Sequence, residues 1–143
     1  MKLIKLLGYA GLIPFVALPL LYTTPMWLSP GRIVELYQLY SALILGFMAG
    51  VFWPVLHSNM SSDAKTERLA LTAVTFPVLS FLALFTAPEY FLPAQACLFV
   101  LLRLSEFRLG LNRQYAGHYR SLRNQLTLVV LFSHVLLYFV ASA

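Results

Sequence analysis

Three ionisable side chains sit where the chain is otherwise oil. Arg103 and Glu106 lie in the run FLPAQACLFVLLRLSEFR, and His134 lies in LTLVVLFSHVLLYFV. Helix rise puts Arg103 roughly 20 Å beyond Glu89, inside the hydrocarbon layer. A charge there costs on the order of 3 kcal/mol unless it is paired or reaches the interface. Glu106 is three residues on, so the two share a helix face with Gln95 and can pair. Such a pair either tethers a bundle, meets a partner subunit, or serves a ligand, ion or proton.

His134 offers proton handling, quinone contact, haem ligation or a hydrogen bond inside a packed core. Haem requires a second ligand at the same depth. His57 falls at a helix end and His118 in a connector, so no cofactor is predicted. There is no HExxH, no paired zinc-ligand spacing and no clustered Cys or His, which leaves no metal reading either. Serine, histidine and carboxylate fall at mismatched depths, so no nucleophilic triad or other catalytic residue is assigned, and the reading leans away from an enzyme.

The elements that position these groups are membrane helices. Hydrophobic residues make up 60% of the 143 and charged residues 10%, against roughly 45–50% and 25% in soluble domains. The pattern predicts an all-α, polytopic bundle of five transmembrane helices in one domain, with spans over about residues 3–22, 33–57, 68–86, 89–107 and 122–141. Lys2 and Lys5 before the first run resemble a secretory signal. However, the run is long and ends without a small-x-small site, so a retained span is expected, kinked by Pro14 and Pro19.

The second run, ELYQLYSALILGFMAGVFWPVLH, is the most informative. Glu35, Gln38, Ala42, Gly46, Gly50, Trp53 and His57 recur at helical steps and form a small-and-polar stripe. Leu36, Leu39, Leu43, Ile44, Leu45, Phe47, Val51 and Val55 form an apolar coat. The other helices are expected to gather on the stripe, with Gly46 and Gly50 admitting a close neighbour and Gly8 and Gly11 doing the same in the first span. Arg32 and Glu35 read as a solvent-side pair. Ser62 or Asp63 could cap the third span, and Trp27 suits headgroup depth.

The net charge of +5 is spread at the ends of the apolar runs, and no basic face carries base-stacking aromatics. Nucleic acid is therefore not an expected partner; a bilayer with anionic headgroups is. Counting Lys and Arg in the loops places the amino terminus in the cytoplasm and the carboxyl terminus outside, with Arg32 the one cation on the outer side. Residues 109–123 form a basic, aromatic connector whose Leu111, Tyr115, Tyr119 and Leu122 recur at helical steps. Part of it should lie along the interface, with Arg113, Arg120 and Arg123 as a collar for headgroups or for an acidic partner. Cys97 reads as an apolar residue of its span, with no disulfide framework.

Three segments, LGYAGLIPF (residues 7–15), YSALILGFMAGVFWP (40–54) and YRSLRNQLTLVV (119–130), together resemble the five-span family DUF3429. The family pattern has a second small residue and a histidine where this chain has Ala49 and Phe52. The resemblance implies a compact bundle of the bacterial inner membrane and no established reaction, substrate or cofactor. The functional expectation is an accessory role as scaffold, assembly factor or stabilising subunit, within a larger membrane complex or a homo-oligomer. Trp53, Arg103, Glu106, Arg120 and Arg123 would form a cytoplasmic-side polar cluster. The alternative is a carrier for a small hydrophobic or lipid-like molecule, in a pocket lined by Gln38 and His134.

Overall fold

A computed structural model describes residues 2–24, 28–53 and 64–142. Trp27, His57, Ser62 and Asp63 lie outside the described residues. The elements are α1 (Lys2–Ala10), α2 (Ile13–Thr23), α3 (Pro30–Ala49), α4 (Ala64–Thr86), α5 (Phe91–Arg108), α6 (Leu111–Gln114) and α7 (Gly117–Ser142), with no strand among the described residues. Five helical stretches are long and apolar enough to cross a membrane: Lys2–Thr23, Pro30–Phe52, Ala64–Thr86, Pro88–Arg108 and Gly117–Ser142. This is a multi-pass membrane protein.

The helix boundaries follow local chemistry. The first span breaks at Gly11–Leu12, just ahead of Pro14, because a proline lacks the N–H that would continue α1 and fits the first turn of a new helix. The hydroxyl of Tyr40 donates to the carbonyl of Gly11 at this break (2.7 Å). Ser29 caps α3 by accepting from the Arg32 N–H (3.3 Å), with Pro30 at the first helical position. Gly110 ends α5 in the left-handed conformation (φ 80°), which a side chain would strain. The connector after it is shorter than its periodicity suggests. Only Leu111–Gln114 forms a helix there, and α7 begins at Gly117 rather than near Leu122. Tyr119 and Arg120 consequently join Arg123 in the last span.

Helix α5 is the hub, packed against α7, α4 and α3, while α7 also meets α1 and α2. Phe15, Tyr37, Phe91, Phe99, Leu102 and Leu137 fill the centre. The lipid side carries residues such as Phe47, 82% exposed, and Phe85.

The orientation of α3 corrects the sequence reading. Its buried face is Ile33, Tyr37, Ser41, Leu45, Met48 and Ala49, continued by Phe52 in the short 3-10 turn after it, and the expected stripe of Gln38, Ala42, Gly46 and Gly50 is only part-buried. Each buried residue precedes a stripe residue by one or so, a turn of about 100° about the axis. Leu45, expected to face lipid, is wholly buried. The cause is the pairing demand of the core: turning Tyr37 and Ser41 inward gives His134 its partners. Within the stripe, Gly46 lies against Pro77 of α4 instead, and Gln38 Nε2 donates to the carbonyl of Pro88, just beyond the end of α4 (3.1 Å).

Candidate functional site

Two polar assemblies are buried in this bundle. The first lies at its centre. His134 sits one turn after Val130, and its Nδ1 is 2.7 Å from the Val130 carbonyl. A carbonyl can only accept, so Nδ1 carries the proton. Nε2 then accepts from the Ser41 hydroxyl (2.6 Å), and Tyr37 Oη lies 3.1 Å from Nδ1. Ser133 spends its own proton on the Phe15 carbonyl, so it accepts from the Tyr37 hydroxyl (2.7 Å). Across the core, Gln95 Nε2 donates to the Ser41 carbonyl (3.0 Å) and Gln95 Oε1 accepts from Ser80 (2.9 Å). One connected set of hydrogen bonds therefore reaches from the first span through the second, fifth and fourth to the third. Every one of these side chains is buried and engaged, so the imidazole acts as a structural knot. Each such bond contributes about 1 kcal/mol.

The second assembly is ionic. Glu106, 0% exposed, lies between two arginines: it pairs with Arg103 on its own helix and with Arg123 of α7, itself 3% exposed. Arg103 is further held by Asn124 Oδ1 (2.9 Å from Nε) and Asn112 Oδ1 (2.7 Å from Nη2), and its guanidinium lies 4.6 Å from the centre of the Phe107 ring. Arg123 has fewer partners. Its Nε is a buried donor with no acceptor among the described residues, and the hydroxyl of Tyr115, whose ring packs edge-on against Tyr119, is likewise unpartnered. Burial above all, with the nearby Tyr119, pushes the Tyr115 phenol up to about 12 against the opposing pull of Arg103.

Arg123 also forms part of the wall of a groove of about 330 Å³. Gly8 and Gly11 of the first span, Ile44 and Met48 of α3, and Leu122 and Arg123 of α7 define it. Its lining is apolar apart from the arginine and Tyr119. Beside the groove the first span, ahead of its break at Gly11, rests on α7 through a glycine: a Cβ on Gly8 would come within 3.3 Å of Leu122 Cδ2.

Of the residues singled out from sequence, the structure brings Arg103, Glu106 and Arg123 together. Trp53 is 45% exposed and Arg120 is exposed, so neither side chain enters the ionic cluster. Asn112 and Asn124 take their places. Both are short polar residues in a basic stretch, and only the fold shows that they converge on Arg103. Gln38 and His134 do not share a pocket: one faces Pro88 and the other is sealed in the central knot. No neighbour lies within 4 Å of a Cβ placed on Gly50, and one on Gly11 would meet only carbonyls of its own helix. Arg32 and Glu35 form an exposed pair at 2.8 Å. No group of three or more His, Cys, Asp or Glu that could hold a metal occurs among the described residues.

No solved structure matches the chain. Transmembrane protein 69 of Xenopus tropicalis is 35% identical over 133 residues, covering 90% of this chain and 51% of that protein. The chain thus spans about half the length of the curated relative it matches. The sequence pattern described as "Protein of unknown function (DUF3429)" matches residues 1–139, and on that match the chain belongs to the DUF3429 family.

Proposed function

We propose that this protein binds a small hydrophobic or lipid-like molecule within the bilayer, in the groove between its first, second and last spans. The groove itself carries the reading. It is apolar, about 330 Å³ in volume, and adjoins a buried cation with an unused donor. That volume is near the lower end of the range for small-molecule sites, roughly 300–1,000 Å³. The test is extraction in nanodiscs cut directly from membrane, followed by mass spectrometry of retained lipids. Leu126→Trp, which fills the groove, should strip a specific molecule that the wild-type protein retains. Identical lipid profiles for the two proteins would refute the reading.

A second reading, an accessory scaffold or stabilising subunit of a membrane complex or homo-oligomer, draws support from the hydrogen-bonded knot, which ties all five spans into one unit. Affinity purification from native membrane, with loss of a defined complex on deletion, would support it. In either case we place the protein in a bacterial inner membrane, amino terminus in the cytoplasm and carboxyl terminus outside. Arg113 and Arg120 would then lie at anionic headgroups. The support for the orientation is the lopsided distribution of Lys and Arg, and reporter fusions at the two termini test it.

A further inference from the structure

Building on the groove-binding reading, we propose that the ligand is a single-chain amphiphile with an acidic headgroup, a carboxylate or phosphate, held by Arg123 with its tail packed along the groove toward Val130.

Charge is the first argument. The cluster holds two guanidinium groups and one carboxylate, Arg103, Arg123 and Glu106, so it buries one net positive charge. Among the described residues the remaining ion pair, Arg32–Glu35, belongs to another helix and supplies no counter-charge. A guanidinium buried in a bilayer without full compensation is costly, and an anion beside Arg123 offsets that cost.

Donor count is the second. Arg123 commits Nη2 to Glu106, but its Nε–H has no acceptor among the described residues, although the side chain is nearly completely buried. This arginine is part of the groove wall, and so is Tyr119. An acidic head at Arg123 would, once the buried side chain turns toward the groove, give the Nε–H the acceptor that the protein withholds.

Shape is the third. Arg123 is the seventh residue of α7, about 9 Å along the helix from Gly117, and Val130 is about 10 Å deeper by helix rise. The groove therefore runs from a cation about 9 Å inside the end of α7 to hydrocarbon at mid-depth, the polarity of a membrane amphiphile. At about 330 Å³ it holds the volume of roughly eleven waters, which suits one chain rather than two.

The experiment uses the whole chain in nanodiscs of uncharged phosphatidylcholine at mildly alkaline pH, with two photo-crosslinking probes: a long-chain fatty acid bearing a terminal diazirine, and the alcohol of the same chain. The acid should label peptides of α1, α3 and α7, and lysophosphatidic acid should compete it away. A charge-assisted hydrogen bond corresponds to roughly ten- to hundredfold in affinity, so the alcohol should compete at least tenfold more weakly. Arg123→Lys keeps a cation opposite Glu106 but removes the Nε–H. It should lower the preference for the acid while leaving alcohol labelling and thermal stability in place, and an unchanged preference would overturn the assignment of the head to the Nε–H. Should that variant not fold, Tyr119→Phe provides the second measurement, with a smaller fall in preference for the acid expected and an unchanged preference counting against the proposal. Equal labelling by acid and alcohol overturns the headgroup assignment while the groove-binding reading stands. Labelling by neither probe overturns both. Competition by inorganic phosphate as strong as by lysophosphatidic acid would make this a site for a free anion and overturn the amphiphile.

Discussion

Replacing Glu106 with glutamine keeps the shape of the side chain and removes the charge that two buried arginines share. The consequences for the two differ. Arg103 retains Asn112, Asn124 and the face of Phe107, whereas Arg123 loses the one ion partner it has among the described residues. The penalty should therefore fall chiefly on Arg123. Breaking a buried pair by removing one partner costs about 3–5 kcal/mol, and insertion scales put an arginine at mid-bilayer about 3 kcal/mol uphill. Both arguments give a loss of about 3–5 kcal/mol for Glu106→Gln. The double variant Glu106→Gln/Arg123→Met removes the stranded cation with the carboxylate and should recover at least about 2 kcal/mol of that loss, a coupling typical of groups in direct contact. Equilibrium unfolding in mixed micelles, followed by the fluorescence of Trp27 and Trp53, measures both. A loss below about 1 kcal/mol for the single variant, or no recovery in the double, would mean that the arginines reach water and that the cluster is not a buried ionic unit.

Further expectations concern other parts of the molecule. Gln95→Leu should cost about 1–2 kcal/mol, because it strands the Ser41 carbonyl and the Ser80 hydroxyl; the same unfolding assay reads it. Tyr115→Phe deletes a buried hydroxyl that has no partner and should leave stability at neutral pH unchanged or slightly higher. The same variant should change the alkaline limb. A phenol whose folded value is raised from 10.0 to about 12 contributes stability that is intact below about pH 10 and is lost on the way to 12, so the variant's unfolding midpoint should fall less steeply over that window. Gly8→Ile should loosen the first span from Leu122, whereas Gly50→Ala, with nothing within 4 Å of its new methyl, should be neutral within about 1 kcal/mol.

The five spans were legible because hydropathy and length alone decide what can cross a bilayer, and all five helices fall where apolar runs do. The shared face of Gln95, Arg103 and Glu106 was equally legible, since one helix sets their spacing and all three are buried. What the sequence hid is whatever depends on two helices meeting. His134 draws Ser41 and Tyr37 from 93 and 97 residues away, and nothing near either end of that distance announces the other. The rotation of α3 is the same problem from its other side. Glycines and a tryptophan marked one face as the special one, yet a tyrosine and a serine, ordinary on lipid-facing helices, carried the packing. Arg123 reads from sequence as both cluster member and headgroup collar. The early start of α7 at Gly117 takes it off the interface and into the bundle.

The hydrogen-bonded knot also bears on biogenesis. Ribosomes deliver these spans in order, and α7, which brings both Ser133 and His134, emerges after the other four. Until it docks, the Tyr37 and Ser41 hydroxyls and the Phe15 carbonyl lack the partners that α7 supplies. A nascent or truncated polypeptide stopped before residue 117 thus displays unsatisfied polar groups at the heart of a half-built bundle. Those groups are a mark by which insertion chaperones and membrane proteases could tell unfinished copies from finished ones.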